Sequence, residues 1–278
     1  MNRFGSLIAD LFIVVLLLVA CSRTPEKTVK FDKLLIGAQD GIVILDVASQ
    51  TVAPLGVGRR FFAYWNGKIY AYADLQTINV YDLRGDQVGT ITHPEYSSTF
   101  WYVVIDDGRI ALLDNGEDKV QFIDFDGNLV KDVSFTPSAD EYESLDGVVV
   151  GGKLIISEDA HKHVFEIDLN NYEVATIADF SGQGSAWLSG NAYHAGSYFT
   201  GLADGTILKF SAGGAATEFA HLPNGFAASM VTDDEKIYVA SGRFGYVYAV
   251  SLADGSVQEL ASGLDKASSI AGVVTSSQ

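Results

Sequence analysis

The sequence predicts an all-β domain: a six-bladed β-propeller of four-stranded blades, closed by a C-terminal strand that pairs into the N-terminal blade. Three observations predict it. A turn residue closing an apolar strand recurs at Asp46, Asp82, Asp124, Asp168, Ser211 and Ser251, with spacings of 36, 42, 44, 43 and 40 residues and a mean of 41. A second apolar anchor precedes each by about a dozen residues, as in Lys33–Ile36, Lys68–Ala71, Arg109–Leu112, Lys153–Ile156 and Lys236–Val239, with a degenerate copy at Ser197–Thr200. No stretch beyond residue 21 shows sustained helical periodicity. Repeats of 40–45 residues with four strands each are the mark of propeller blades, and a β-sandwich of this size has no fixed period.

The first element is residues 1–21. A short basic start, Met1-Asn2-Arg3, leads to the apolar run Leu11–Ala20 and then to Cys21, the single cysteine of the chain. Ten apolar residues make about 15 Å of helix, half of a bilayer core of ~30 Å, which suits a signal-peptide core better than a spanning anchor. Leu18-Val19-Ala20-Cys21 resembles a bacterial lipobox. That resemblance implies lipidation of Cys21, attachment to a membrane through its acyl chains and residence at the cell envelope. Ser22 rather than aspartate follows the cysteine, which in a diderm bacterium implies the outer membrane, facing the periplasm or the surface. The polar stretch 22–30, with Pro25, reads as a tether, and 31–278 as the propeller.

Within the propeller the first unit begins directly at Lys33 and lacks an innermost strand. The second unit reads as Phe61–Trp65, the turn Asn66-Gly67, Lys68–Ala73, Thr77–Leu83, the turn Gly85-Asp86 and Gln87–Thr92. Asn-Gly and Asp-Gly pairs supply the positive-φ residues of two-residue hairpins, and β-branched and aromatic residues fill the strands between them. The chain ends in Lys266–Val274, an innermost strand without a blade. Pairing it beside Leu34–Ile36 closes the ring and removes two exposed edges.

Charge bounds the function. Lys and Arg total 18 against 35 Asp and Glu, a net charge of −17, which repels phosphate backbones and excludes nucleic acid as a partner. One cysteine excludes an internal disulfide framework and a cysteine zinc cage. No nucleophile elbow and no phosphate-cradling glycine motif is present. Asp114–Asp118 has part of the look of a calcium loop without its alternating ligand spacing and reads as an acidic turn.

In such a ring the first-to-second and third-to-fourth links share one face and are short here. The second-to-third links and the blade-to-blade crossings share the other, where longer and chemically mixed loops are expected to carry function. Arg59, Arg60, His93, Tyr96, Arg243 and Phe244 are its candidate ligand-binding residues, cations and aromatics suited to an anionic or oxyanion-bearing ligand. His161 and His163 stand two apart, on one face of a strand, with Glu158 and Asp159 beside them. This reads either as a weak metal pair or as a solvated hairpin.

His221–Ala228, with Pro223-Asn224-Gly225 at its centre and Lys236–Ala240 after it, resembles the blade start of two six-bladed groups. These are the NHL-repeat propellers and the senescence-marker-protein/gluconolactonase-like family. The resemblance covers Lys33–Val274 as a fold pattern. It implies a central pocket in which Asn224 ligates a divalent metal that assists the opening of a sugar lactone, with Glu143 as the innermost-strand glutamate. Ser268-Ser269 stands where that family has Asp-Gly, and Ser185-Ala186-Trp187 where it has Asn-Asp-Gly, so two oxygen ligands are missing. The expectation is therefore a lipid-anchored, monomeric envelope propeller without a cofactor, binding a protein or small molecule through its long-loop face. The alternative is a metal-assisted hydrolase or lyase of the gluconolactonase kind, with Glu143, His161 and Asn224 as its catalytic candidates.

Overall fold

A computed structural model describes residues 29–59, 61–93, 99–105, 107–114, 119–134, 145–159, 162–182 and 188–274. The lipobox, Cys21 and most of the tether fall outside these residues. Three strands open the domain: β1 (Lys33–Ala38), β2 (Gly41–Asp46) and β3 (Val52–Pro54). Blade two is β4 (Phe62–Trp65), β5 (Lys68–Asp74), β6 (Thr77–Asp82) and β7 (Gln87–Thr92). Blade three is β8 (Thr99–Ile105), β9 (Arg109–Asp114), β10 (Lys119–Asp124) and β11 (Leu129–Ser134). Blade four is β12 (Leu145–Val150), β13 (Lys153–Glu158), β14 (His163–Asp168) and β15 (Val174–Asp179). Blade five is β16 (Leu188–His194), β17 (Ser197–Leu202), β18 (Thr206–Phe210) and β19 (Thr217–His221). Blade six is β20 (Ala227–Thr232), β21 (Lys236–Ser241), β22 (Tyr246–Ser251) and β23 (Val257–Ala261). The last strand, β24 (Ser269–Val273), joins the first three, so the described residues form six four-stranded antiparallel sheets.

Closure follows the predicted register. Ile270 pairs with Ile36, Ala271 with Leu35 and Val273 with Lys33. The inner strands then touch in sequence around the axis, β24 to β4, β8, β12, β16, β20 and back to β24. The chain is a six-bladed β-propeller.

The core lies in the six seams between blades rather than along the axis. Leu34 and Ile36 pack against Tyr238, Ala240 and Val247 of blade six. Between them in sequence, Leu35 packs the other way, against Phe62, Ile69 and Ala71 of blade two. Ile110 and Leu112 likewise face blade two, whereas Ala111 and Leu113 face blade four. Alternate residues of one strand fill opposite seams, which is why the second strands read as unbroken apolar runs. The degenerate fifth copy obeys the same rule with larger rings: Tyr198 enters the seam to blade four and Phe199 the seam to blade six.

The periodic aspartate has a structural reason. Asp82 Oδ1 accepts the backbone N–H of Arg84 at 2.8 Å, Asp124 Oδ1 those of Asp126 and Asn128 at 2.9 and 2.8 Å, and Asp168 Oδ1 that of Asn170 at 2.7 Å. Each carboxylate satisfies the third-to-fourth turn that follows it. Those turns also lean on the preceding blade. Gly85 (φ +88°) and Gly127 (φ +86°) lie so close that a Cβ would stand 2.2 Å from the Leu55 carbonyl oxygen and 1.8 Å from that of Thr92. Only glycine accommodates both the backbone twist and the contact.

Loop lengths differ from expectation in one respect. Several second-to-third links are as tight as hairpins, Gln39-Asp40 and Leu75-Gln76 among them, so the extra length resides in the blade-to-blade crossings such as 55–61, 222–226 and 262–268. The domain begins on the opposite face. Val29 and Asp234 bond to each other, with Asp234 N–H donating to Val29 O at 3.1 Å, and Lys30 pairs with Glu235 at 2.5 Å. Those acidic partners sit in the first-to-second turn of blade six. Residues 29 and 30 therefore meet the ring on the face away from the crossings.

Candidate functional site

A cavity of about 220 Å³ lies on the axis, walled by inner strands of five blades. Phe62 and Tyr64 of β4, Asp146 of β12, Ser229 and Met230 of β20 and Ser269 of β24 are among its lining. Asp146 is the chemically distinctive member. It is 8% exposed, in a strand otherwise rich in valine. Its Oδ2 accepts the Asn191 backbone N–H at 2.8 Å. The Asn191 side-chain amide donates to the Asp146 carbonyl at 3.0 Å and to Ser157 Oγ at 2.8 Å. A bulge between Ser189 and Asn191 interrupts the β16 ladder next to this contact. Burial pushes the Asp146 carboxyl up to about 7, against the opposing pull of backbone N–H bonds from Asn191 and Gly147. Half-ionised near neutrality, it can hold or release a proton or stand opposite a cation.

Further polar links stitch the same end of the ring. Ser189 Oγ donates to Ala227 O at 2.6 Å, Thr200 Oγ1 to Ser189 O at 3.3 Å and Ser241 Oγ to Gly225 O at 2.6 Å. On blade four the end of β13 carries fully buried Glu158 and then Asp159. Asp159 Oδ1 accepts the Leu188 N–H at 3.0 Å, fastening blade four to the start of blade five. Burial first, with repulsion from Glu158 added, pushes its carboxyl up to about 6 against the Leu188 bond and Lys162. His163 turns outward. Its Nε2 lies 3.6 Å from Asp179 Oδ1 on the outer strand, and its ring stands edge-on to Phe165 at 5.7 Å.

The candidates of the crossing face divide among blades. Arg59 and His93 flank Asp74 at the end of β5. Hydrogen bonds from Gln76 and Thr77, and then the charges of His93 and Arg59, hold the Asp74 carboxyl below the usual range. Tyr72 shares this corner, its phenol raised by burial and by Asp74 and lowered by Arg59. His93 is buried, and its backbone N–H donates to Gln76 O at 2.9 Å. Arg243 and Phe244 form the exposed tip between β21 and β22, with blade one between them and the Arg59 corner. Asn224 lies in the crossing into β20, exposed, and donates its side-chain amide to Tyr248 OH at 3.0 Å. It does not line the axial cavity. Arg60, Tyr96, Glu143 and His161 lie outside the described residues. Among the described residues no three His, Cys, Asp or Glu side chains group as a metal site would require.

Asp146 is not among the residues that the sequence singles out. Its signal is one charged residue in an apolar innermost strand, Leu145-Asp146-Gly147-Val148-Val149-Val150. Motif scanning passes over it because its partner, Asn191, is 45 residues away on the next blade.

No protein-family model matches the chain, and no curated protein matches it in sequence. Solved structures match its shape. A crystal structure of a nidogen/laminin complex gives a TM-score of 0.68 at 13% identity, over 86% of this chain and 97% of that one. A streptogramin B lyase gives 0.58 at 14% identity over 84% of both chains. A gluconolactonase from Xanthomonas campestris gives 0.57 at 16% identity, over 75% of this chain and 77% of that one. At such identities the likeness shows the propeller fold and nothing finer.

Proposed function

We propose that this protein is a lipid-anchored binding module of the cell envelope, which holds its crossing-loop face away from the membrane for a protein or small-molecule ligand. The observation that carries the reading is the docking of Val29 and Lys30 to Asp234 and Glu235, on the face opposite the crossings. With acyl chains on Cys21, the segment from Cys21 to Val29 spans at most about 29 Å, so the docked face turns toward the lipid and the crossings toward solvent. The Arg59–Asp74–His93 corner and the exposed Arg243-Phe244 tip both lie on the outward side. Rigid blades bearing variable loops are a common way to present such a surface. One of the shape matches comes from a protein–protein complex, which fits this use of the fold.

A photo-crosslinking side chain placed at Phe244, and separately at Asp254 in a third-to-fourth turn, tests the reading in intact cells. Discrete adducts from position 244 and none from 254 are expected, with Cys21→Ala releasing the protein from the membrane fraction. Adducts from 254 alone, no adducts from either position, or unchanged membrane association of the Cys21→Ala variant would overturn it.

A further inference from the structure

We propose that the axial cavity binds a small organic amine in its protonated form, with the Asp146 carboxylate as counter-ion and the apolar walls holding the body of the molecule. This goes beyond loop-face binding and depends neither on it nor on the lipid anchor.

Among the described residues that line the cavity, Asp146 is the one carboxyl group, and no Lys, Arg or His lines it alongside. The backbone amides of Asn191 and Gly147 bring dipoles but no net charge. An ionised Asp146 therefore has neutral hydrogen-bond partners but no counter-charge among the described lining residues, and a bound ammonium supplies one. Ser229 of blade six and Ser269 of blade one add hydroxyl-bearing residues to the lining from other sides of the ring. Phe62 and Tyr64, packed in the seam between blades one and two, are the aromatic residues of the lining. Size limits the ligand. A cavity of roughly 150 Å³ admits benzene, so about 220 Å³ takes one ring with two or three further heavy atoms. A net charge of −17 raises the local concentration of cations and opposes anions.

Other titratable groups surround Asp146. Tyr64 faces the cavity from β4, and Glu158 and Asp159 stand at the end of β13 on Asp146's own blade. From β16 come neutral Ser189 and Asn191, with Tyr193 and His194 toward the opposite face. The described cavity-lining residues of β8, β20 and β24 bring no titratable side chain. A pH effect on amine binding must therefore be separated from Glu158 and Asp159.

Calorimetric titration of the purified protein with phenethylamine, 2-phenylethanol and 3-phenylpropanoate, at pH 5.5 and 8, tests the proposal. Phenethylamine is cationic at both values, so only the protein side titrates. For a carboxyl near 7 the ionised fraction rises about thirtyfold across this range, and amine affinity is expected to follow. The alcohol is expected to bind at least tenfold more weakly at pH 8, and the acid more weakly still. Asp146→Asn should abolish both the preference and the pH dependence, while Asp159→Asn should keep them. Equal affinity for amine and alcohol, a preference for the acid, or no phenethylamine binding at millimolar concentration would overturn the proposal. Should the Asp146→Asn variant fail to fold, the amine-to-alcohol ratio and its pH dependence in the unaltered protein decide the matter.

Discussion

Asp146 sets a stability profile that can be read by titration. Its carboxyl is raised to about 7 in the folded chain, against 3.8 for an ordinary aspartate. As pH climbs from about 4 to about 7, the unfolded chain releases a proton that the native state still holds. Stability therefore falls across that window and levels off above it. Three pKa units correspond to roughly 4 kcal/mol at most. Asp146→Asn keeps an oxygen acceptor for the Asn191 N–H but has no proton to lose. In urea unfolding its midpoint is expected to gain on the parent protein from pH 4 to about pH 7 and to hold that gain above it, and parallel pH profiles for the two would contradict this. Asp159, raised to about 6, contributes the same sign over a lower window and remains in both proteins.

At the scale of the elements, the turns are where the sequence is most explicit. The Asp82 and Asp124 repeats are legible because a short side chain must cap each third-to-fourth turn, which fixes both residue type and spacing. Asn66-Gly67 signals a hairpin and forms one, with φ of +48° and +74°. The strands of the second unit are legible to within a residue or two for the same reason. The polar seam between Asp146, Ser157 and Asn191 is not legible, since no local pattern connects residues on neighbouring blades. Nor does the sequence reveal that Asn224 bonds outward to Tyr248, because a tripeptide motif does not fix side-chain direction. The turn contacts make a sharp prediction. Gly127→Ala would force a methyl to within 1.8 Å of the Thr92 carbonyl oxygen and push blades two and three apart. It is expected to cost upwards of about 3 kcal/mol, whereas Gly108→Ala, at φ +93° but with open space around it, should cost only about 1–2 kcal/mol. Comparable thermal shifts for the two variants would show that the turn of one blade does not bear on the next.

For the whole molecule, the decisive feature is that one chain's two ends meet in one sheet. Each seam has its own apolar cluster, so stability is spread around the ring, and the seam between blades six and one exists only while β24 stays paired. Removing residues from Ala267 onward takes Ile270 and Ala267 from that seam and leaves β1 as a bare edge. The truncated chain is expected to lose its single cooperative transition and to aggregate. A sharp transition at the original temperature would mean that the tail is dispensable.

Closure also fixes where residues 29 and 30 meet the ring and which face the crossings occupy, and on this the proposed function turns. The most direct test places a nitroxide at Phe244→Cys or at Asp254→Cys in acylated protein on vesicles doped with a gadolinium-chelating lipid, and compares relaxation at the two sites. Stronger relaxation at position 254 than at 244 is expected, with the crossing-loop face held outward. Stronger relaxation at 244, or no association with the vesicles, would contradict it.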